Sequence, residues 1–201
     1  MTEAFTLRQL MGKPAAPAPL SQSVLIIVDA QNTYLSGLMK LDGIEAAMDE
    51  CATLLARARA VGAPVIHIQH DAGPGSPFDV NGENGAIASQ VAPVAGEGRV
   101  VKRHANGFIG TDLEAQLNAL GDKRQLVICG FMTHNCVNST ARGAVNLGWP
   151  VCVPASATAT RDLPGPDGSV VPAAEVQRAN LAGMSDAFAL VVANGAAIAD
   201  A

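Results

Sequence analysis

The sequence has few aromatic residues, few charges and no long apolar run. One Trp, one Tyr and five Phe make up 3% of its 201 residues, too few for a surface that stacks nucleic-acid bases. Acidic residues outnumber basic ones by 18 to 13, which gives a net charge of −5, and no basic cluster is longer than a pair. Apolar runs such as Ala187–Ala193 are much shorter than a membrane span. We therefore expect neither a nucleic acid nor a membrane as a partner.

Several familiar signatures are also missing. No Gly-x-Gly-x-x-Gly or phosphate-loop motif is present, so no nucleotide cofactor is predicted. No Cys-x-x-Cys pair is present, which argues against thiol redox chemistry. Residues 1–20 show no apolar segment before a cleavage site, so we expect no secretion. The cysteines, at positions 51, 129, 136 and 152, are then expected to be reduced thiols in the cytoplasm.

Chain length and composition predict one domain. A chain of 201 residues is shorter than the roughly 250 residues at which chains tend to divide. Residues 1–22 include a Pro- and Ala-rich stretch from Pro14 to Pro19, and we interpret them as an N-terminal tail. Residues 23–201 are predicted to form a single domain.

Short apolar runs alternate with helical patterns along this domain. The spacing of apolar residues predicts a helix from Ile44 to Ala60, and Thr-Asp-Leu-Glu predicts a capped helix that begins at Thr111 and ends at Gly121. Further helices are predicted over 136–147 and 173–184. Six runs are typical of buried strands: 24–28, 64–69, 99–102, 126–130, 151–154 and 189–192. This alternation predicts a doubly wound α/β fold, a mostly parallel six-stranded sheet with helices on both faces in three layers.

Three chemically useful residues follow predicted strands. Asp29 and Lys102 stand at strand ends, and Cys136 lies where the next helix should begin. Ligand crevices of parallel sheets lie beyond the carboxyl ends of the strands. Alone, each residue would more often be a turn carboxylate, a surface lysine or a buried thiol. Together they suit nucleophilic catalysis: Lys102 and the helix start should lower the pKa of the thiol, and Asp29 can accept and return its proton.

Ordered motifs around these residues carry a family resemblance. They are VLIIVDAQ from Val24, VVKRHANGFIGTDL from Val100, GFMTHNCVNSTAR from Gly130 and ASATATRD from Ala155. Over about Ser23 to Val192, the chain resembles the isochorismatase-like cysteine hydrolase family. The resemblance implies a catalytic triad of Asp29, Lys102 and Cys136, the same three residues that strand-end reasoning selects.

The resemblance implies further features. A cis peptide bond should join Phe131 to Met132, and the backbone N–H groups of Met132 and Cys136 should form an oxyanion hole. Family members commonly form dimers or tetramers, so we expect a homodimer or homotetramer. Nicotinamidase-type members hold a metal through an Asp-x-His element, which is Asp29-Ala-Gln31 here. We therefore predict neither a metal nor another cofactor. His67 and His70 should point to opposite faces of a strand, which makes them poor joint ligands.

Residues in the loops beyond the strands are candidates for contact with a small-molecule substrate. The stretches 70–98 and 156–172 are long enough to suggest function. The predicted substrate contacts are Gln31, His70, Phe78, Asn106, Phe108 and Thr133. Thr158, Thr160 and Arg161 are weaker candidates, with capping or surface roles as alternatives. A Cys/His dyad of Cys136 with His134 or His104 is disfavoured, because a side chain two positions away in a tight turn is poorly aimed.

The sequence therefore predicts a cysteine-dependent hydrolase that cleaves an amide or carbamoyl carbon–nitrogen bond through a thioester. One alternative is hydrolysis of the vinyl ether of isochorismate, a reaction that needs acid catalysis and whose enzymes can lack the cysteine. Another is a catalytically idle family member that only binds a small molecule.

Overall fold

Within residues 4–201, the part of the chain that the computed structural model describes, seven strands form one parallel sheet. The strands of this sheet are β1 (Ser23–Val28), β2 (Val65–His70), β3 (Gly98–Lys102), β4 (Gln125–Phe131), β5 (Val151–Pro154), β6 (Thr158–Ala159) and β9 (Leu190–Val192). Their spatial order is β3-β2-β1-β4-β5-β9, and β6 pairs with the end of β4. Outside the sheet, β7 (Leu163–Pro164) and β8 (Val170–Val171) form an antiparallel hairpin. The six predicted strands and the doubly wound fold are confirmed; β6, with two residues, is too short to produce an apolar run.

Helices cover both faces of the sheet. They are α1 (Leu7–Leu10), α2 (Ile44–Ala60), α3 (Leu113–Ala119), α4 (Asn138–Asn146) and α5 (Ala173–Ala187). The predicted bounds of α2 are confirmed, and its buried residues are those of the predicted apolar face: Ile44, Ala47, Met48, Cys51, Leu54, Leu55 and Ala58. Each face of the sheet therefore has a helical layer to cover it.

The alternating side chains of β1 show how the layers are divided. Leu25 and Ile27 belong to the apolar cluster under α2. Val24, Ile26 and Val28 belong to the cluster on the opposite face, with residues of α3, α4 and α5. All six residues of β1 are buried, as expected for a central strand covered on both sides.

The predicted capping box at Thr111 is wrong. Helix α3 begins two residues later, at Leu113, and none of the described side chains caps it. The Thr111 hydroxyl donates to the Gly107 carbonyl at 2.6 Å, and its oxygen accepts only a 3.3 Å bond from the Leu113 N–H. Thr111 therefore fastens the preceding loop. Gly121 follows the end of the helix with φ +90°, a conformation that favours glycine.

The segment before β1 contains defined structure where it is described. Helix α1 is capped by Thr6 and Gln9, and the Leu7 N–H donates to Asp186 of α5 at 2.8 Å. Residues 1–3 of the predicted tail lie outside the described residues. None of the described helices is long and apolar enough to cross a membrane.

The strand order decides where the polar strand ends meet. In the order β3-β2-β1-β4, the carboxyl ends of four neighbouring strands lie side by side. Lys102 and His70 end β3 and β2 and are register partners. Asp29 follows β1, and the turn that carries Cys136 follows β4. These side chains therefore lie together at the carboxyl ends of the strands.

Candidate active site

The three residues predicted as a triad lie together in the interior. Lys102 Nζ is 2.7 Å from Asp29 Oδ2 and 3.2 Å from Cys136 Sγ. Their exposed fractions are 1%, 0% and 5%, respectively. The ammonium group therefore bridges a carboxylate and a thiol that are 107 residues apart in the chain.

Backbone geometry at the end of β1 places the carboxylate. Asp29 has φ +48°, in the left-handed region that Asp adopts more readily than most residues. Its N–H still donates to the Ile68 carbonyl of β2 at 2.8 Å. The chain therefore leaves the sheet sharply at Asp29, and the carboxylate remains beside the end of β2.

The thiol is carried by a wide turn after β4. Residues Thr133–Val137 form a π-helical turn, closed by a 3.2 Å bond from the Val137 N–H to the Met132 carbonyl. The bond between Phe131 and Met132 is cis. The Thr133 hydroxyl donates to the Ala159 carbonyl at 3.0 Å, which fastens the turn to β6. Helix α4 continues directly from this turn, so Cys136 lies at the start of a helical segment.

Burial controls the protonation of the thiol. It raises the pKa of Cys136 to about 12, the Asp29 carboxylate raises it too, and Lys102 opposes the rise. The net rise is contrary to our expectation of a lowered pKa. Lys102 lowers the pKa of this thiol as expected, but desolvation and Asp29 outweigh its effect. The resting group at neutral pH is a thiol that needs a base beside it.

Asp29 has the properties of such a base. Burial also raises the pKa of Asp29, with Lys102 opposing. Among the described residues, Asp29 Oδ1 has no hydrogen-bond partner, whereas Oδ2 forms a close ion pair with Lys102 Nζ. A carboxylate with a raised pKa and free lone pairs is a stronger proton acceptor than an exposed one.

Comparison with known proteins identifies the family. Residues 23–194 match the model of the Isochorismatase domain. The chain belongs to the isochorismatase family. It is 36% identical over 190 residues to a secreted isochorismatase effector from Verticillium dahliae, covering 94% of this chain and 97% of that protein. It is 32% identical over 174 residues to a ureidoacrylate amidohydrolase from Azorhizobium caulinodans, covering 67% and 76%.

Solved structures agree with this assignment. The crystal structure of an isochorismatase from Pseudomonas putida superimposes with a TM-score of 0.92 at 40% identity, covering 98% of this chain and 100% of that chain. The family resemblance read from the motifs is therefore confirmed, and the chain is a hydrolase of the isochorismatase family.

The Gln31 side chain of this isochorismatase-family hydrolase bonds to the backbone of β2 and of the long loop after it. Its side chain is fully buried, and Nε2 donates to the carbonyls of His70 at 3.0 Å and Gly85 at 2.7 Å. Its Oε1 accepts the His70 N–H at 2.9 Å. Both donors are occupied by backbone, so Gln31 fastens the end of β2 to the long loop. Its contact with substrate stays a prediction.

An aromatic wall lies beside the triad. The His70 and Phe78 rings meet edge to face at 5.3 Å, and Phe78 meets Tyr34 in the same way at 5.6 Å. Burial raises the pKa of Tyr34, as do Asp29 and Cys136, while Arg161 opposes the rise. Sequence reasoning missed Tyr34, although its position five residues after Asp29 could have indicated it. Phe78 is half-buried on the long loop and packs against the apolar cluster under α2, and its contact with substrate stays a prediction.

Asn106 and Phe108 belong to the loop after β3. The Asn106 Oδ1 accepts the Phe108 N–H at 3.0 Å. A Cβ atom placed on Gly143 of α4 would lie 2.6 Å from the Asn106 amide nitrogen, so this amide packs closely against the helix. These contacts make Asn106 a loop-fastening residue, and its contact with substrate stays a prediction. Phe108 is half-buried and packs against the apolar cluster on the α4 side.

The remaining candidates have other partners. His134 Nδ1 lies 2.6 Å from Thr160 Oγ1, and His104 is exposed, so neither forms the alternative dyad with Cys136. Thr158 donates to the Ala155 carbonyl. Arg161 differs from these, because its Nε is buried and has no hydrogen-bond partner among the described residues.

The two histidines of β2 face different surroundings. His67 Nε2 lies 2.8 Å from Glu97, whereas His70 Nδ1 lies 3.2 Å from Lys102 Nζ. Within residues 4–201, no group of three His, Cys, Asp or Glu side chains is placed to hold a metal ion.

Proposed function

We propose that this chain hydrolyses an amide or carbamoyl carbon–nitrogen bond of a small molecule, with Cys136 as nucleophile. The observation that carries this proposal is the buried ammonium that holds a carboxylate and a thiol on either side of it, at 2.7 and 3.2 Å. A protonated thiol with a basic carboxylate in the same interior is suited to attack on a carbonyl carbon.

The first half-reaction forms a thioester. Asp29 accepts the Cys136 proton as the sulfur attacks the carbonyl carbon, and the carbonyl oxygen gains negative charge. The N–H groups of Met132 and Cys136 are the proposed donors to that oxygen. Asp29 then returns the proton to the leaving nitrogen, the carbon–nitrogen bond breaks, and ammonia or an amine departs.

The second half-reaction restores the thiol. Asp29 accepts a proton from a water molecule as the oxygen of that water attacks the thioester carbon. The carbon–sulfur bond breaks, the sulfur receives the proton from Asp29, and the carboxylic or carbamic acid leaves. Lys102 keeps the carboxylate and the sulfur in place through both steps.

Two observations favour carbon–nitrogen cleavage over vinyl ether hydrolysis, the runner-up. A cysteine lies beside a carboxylate that can accept its proton, whereas the vinyl ether hydrolases of the family can lack that cysteine. One relative is named as an amidohydrolase.

The surroundings of Cys136 favour a small substrate. Cys136 is 5% exposed. Lys102 beside it contacts His70, whose ring packs against Phe78, and Phe78 packs against Tyr34. Phe78 and Phe108 are the proposed walls of the substrate pocket. The Arg161 Nε, which has no hydrogen-bond partner within residues 4–201, is suited to an acidic group on the substrate. Small primary amides and ureido acids fit this description.

We further propose a cytoplasmic location and a homodimeric or homotetrameric assembly. The free, buried cysteines are consistent with a reducing compartment, although one relative is named as secreted. Cell fractionation and light scattering test these two points.

Ammonia release across a panel of small primary amides and ureido acids tests the function. We expect at least one compound to be hydrolysed, and Cys136→Ala to reduce its turnover by about 1,000-fold or more while circular dichroism stays native. Cys152→Ala, the same substitution at a buried cysteine of β5, should retain turnover. Release of no ammonia from any compound would favour the idle binding member, and full activity of Cys136→Ala would contradict the mechanism.

A further inference from the structure

The Lys102 ammonium has three N–H groups and three acceptors around it. Asp29 Oδ2 lies at 2.7 Å, Cys136 Sγ at 3.2 Å and His70 Nδ1 at 3.2 Å. Lys102 is 1% exposed, so water is not available to replace a missing partner. A buried ammonium left with a free donor carries a desolvation cost, and His70 is the acceptor that the triad itself does not include.

His70 is held for this contact from several directions. It ends β2 as the register partner of Lys102 on β3. The Gln31 side chain bonds both its N–H and its carbonyl, and Gln31 stands two residues after Asp29. The Phe78 ring packs against the imidazole at 88°. The backbone and the ring plane of His70 are thus both fixed.

We propose that His70 is a positioning residue that accepts the third Lys102 N–H through Nδ1 and so directs the other two toward Asp29 and Cys136. This role requires the neutral imidazole with its proton on Nε2. His70 then acts on the reaction through Lys102, and the proposal replaces its predicted role as a substrate contact.

The charges around His70 are consistent with a neutral ring. Burial lowers the pKa of His70 most, the Lys102 cation lowers it further, Asp71 opposes this, and His104 adds to the lowering. Asp71 is itself paired with Arg103 at 3.0 Å. Protonation of His70 would remove the acceptor and place a second cation against Lys102.

Histidine NMR tests the tautomer without any substrate. In long-range ¹H–¹⁵N spectra of the full-length protein, we expect the neutral His70 ring to be protonated at Nε2 with an unprotonated Nδ1. Lys102→Met should raise the pKa of His70, because it removes a neighbouring cation, and should leave the shifts of the exposed His104 unchanged. A proton on Nδ1, or no change in the pKa of His70 in the folded Lys102→Met variant, would overturn the proposal.

Kinetics of two His70 variants provide a second test, and this one also rests on the proposed function. His70→Leu removes the acceptor, so we expect kcat to fall about 10-fold or more with KM within about twofold, an effect of one lost hydrogen bond to a charge. His70→Asn keeps an acceptor near the Nδ1 position and should restore kcat to within about threefold. His104→Asn is the matched control and should behave as wild type.

The outcomes separate the two proposals. A rise in KM with kcat unchanged, or failure of the folded His70→Asn variant to recover kcat, would show that His70 does not act through Lys102. If no amide is hydrolysed but the Nε2–H tautomer and the Lys102→Met shift are observed, His70 holds Lys102 and only the proposed function fails.

Discussion

At the scale of single residues, the site depends on how a buried ammonium is satisfied. Lys102 and Asp29 form an ion pair that is inaccessible to solvent. Taking two charges out of water costs several kcal/mol for each ion, so such a pair adds little net stability. Removing one partner is costly, however, because the other charge is left buried and unpaired. The pair is therefore better explained by its position beside Cys136 than by its effect on the fold.

A pair of variants tests this separation of activity from stability. Asp29→Asn should reduce kcat/KM by about 1,000-fold or more because it removes the base, and should cost about 3 kcal/mol of unfolding free energy because Lys102 loses its counter-ion. The double variant Asp29→Asn with Lys102→Met should recover most of that stability but no activity. Urea unfolding and the amide assay measure both quantities; substantial turnover by either variant would exclude Asp29 as the base.

The sequence could indicate which residues meet, but not what surrounds them. Asp29 and Lys102 were predictable because each directly follows an apolar strand. The raised pKa of Cys136 was not predictable, because it depends on how completely the site is buried. The bonds of Gln31 and the packing of Asn106 were not predictable either, because a sequence does not show which distant segments an amide side chain contacts.

At the scale of the elements, the junction of β1 and β4 has one strict requirement. Gly130 pairs with Val28 and has φ +109°. A Cβ atom there would lie 2.0 Å from the Val28 carbonyl oxygen, which is backbone and is not free to move away. Glycine is thus needed where β4 leads into the turn that carries Cys136.

Gly130→Ala should therefore destabilise the protein strongly, by about 3 kcal/mol or more, because it combines a clash with an unfavourable φ. Gly183→Ala is the matched control: Gly183 lies within α5, and nothing is within 4 Å of its added Cβ. It should raise stability by about 0.5–1 kcal/mol. Thermal melts measure both; equal melting temperatures for the two variants would contradict this account of the junction.

A second polar cluster joins α2, β2 and the loop that precedes β3. Glu97 accepts two bonds from Arg59, at 2.7 and 2.9 Å, and lies 2.8 Å from His67. The pKa of Glu97 is lowered to about 2; burial alone would raise it, but bonds from Arg59, the Val94 N–H and His67 outweigh that effect. Burial lowers the pKa of His67, so the folded protein favours the neutral ring.

These shifts predict the pH dependence of stability. A lowered carboxyl pKa stabilises the fold above its ordinary value of 4.5, and this contribution is lost as pH falls from about 4.5 toward about 2. Glu97→Gln should cost about 2–3 kcal/mol at pH 7, and the gap from wild type should narrow below pH 4.5. Urea unfolding at pH 7 and pH 3.5 measures it, with the exposed Glu114→Gln as a control. A gap that widens toward low pH would refute the assignment.

Prediction at this scale succeeded where periodicity is strong. The apolar face of α2 was predicted residue by residue because seven positions follow one helical period. The start of α3 was misplaced because a threonine hydroxyl can form a hydrogen bond within a loop as readily as it can cap a helix. The π-helical turn before α4 was not predicted, since its residues leave the same apolar pattern as an ordinary first turn.

At the scale of the whole molecule, the sheet separates two apolar layers and places the candidate catalytic residues together at the carboxyl ends of its strands. The sequence predicted six strands and their crossovers, and the motifs then indicated the family. It did not give the spatial order β3-β2-β1-β4-β5-β9 from periodicity, because a helical crossover does not specify which neighbour a strand joins. That order is what makes Lys102, His70, Asp29 and Cys136 neighbours.

The central claim is that the acyl group of the substrate is carried on one sulfur, and the mass of the whole protein tests it. The protein should be mixed with an activated ester of the acid released from its best amide, quenched in acid within the first turnover, and measured intact and after digestion. The account predicts a gain equal to one acyl group, confined to the peptide that contains Cys136 and absent in Cys136→Ala. An acyl group on any other residue, or ammonia release from the amide by Cys136→Ala at the wild-type rate, would contradict it.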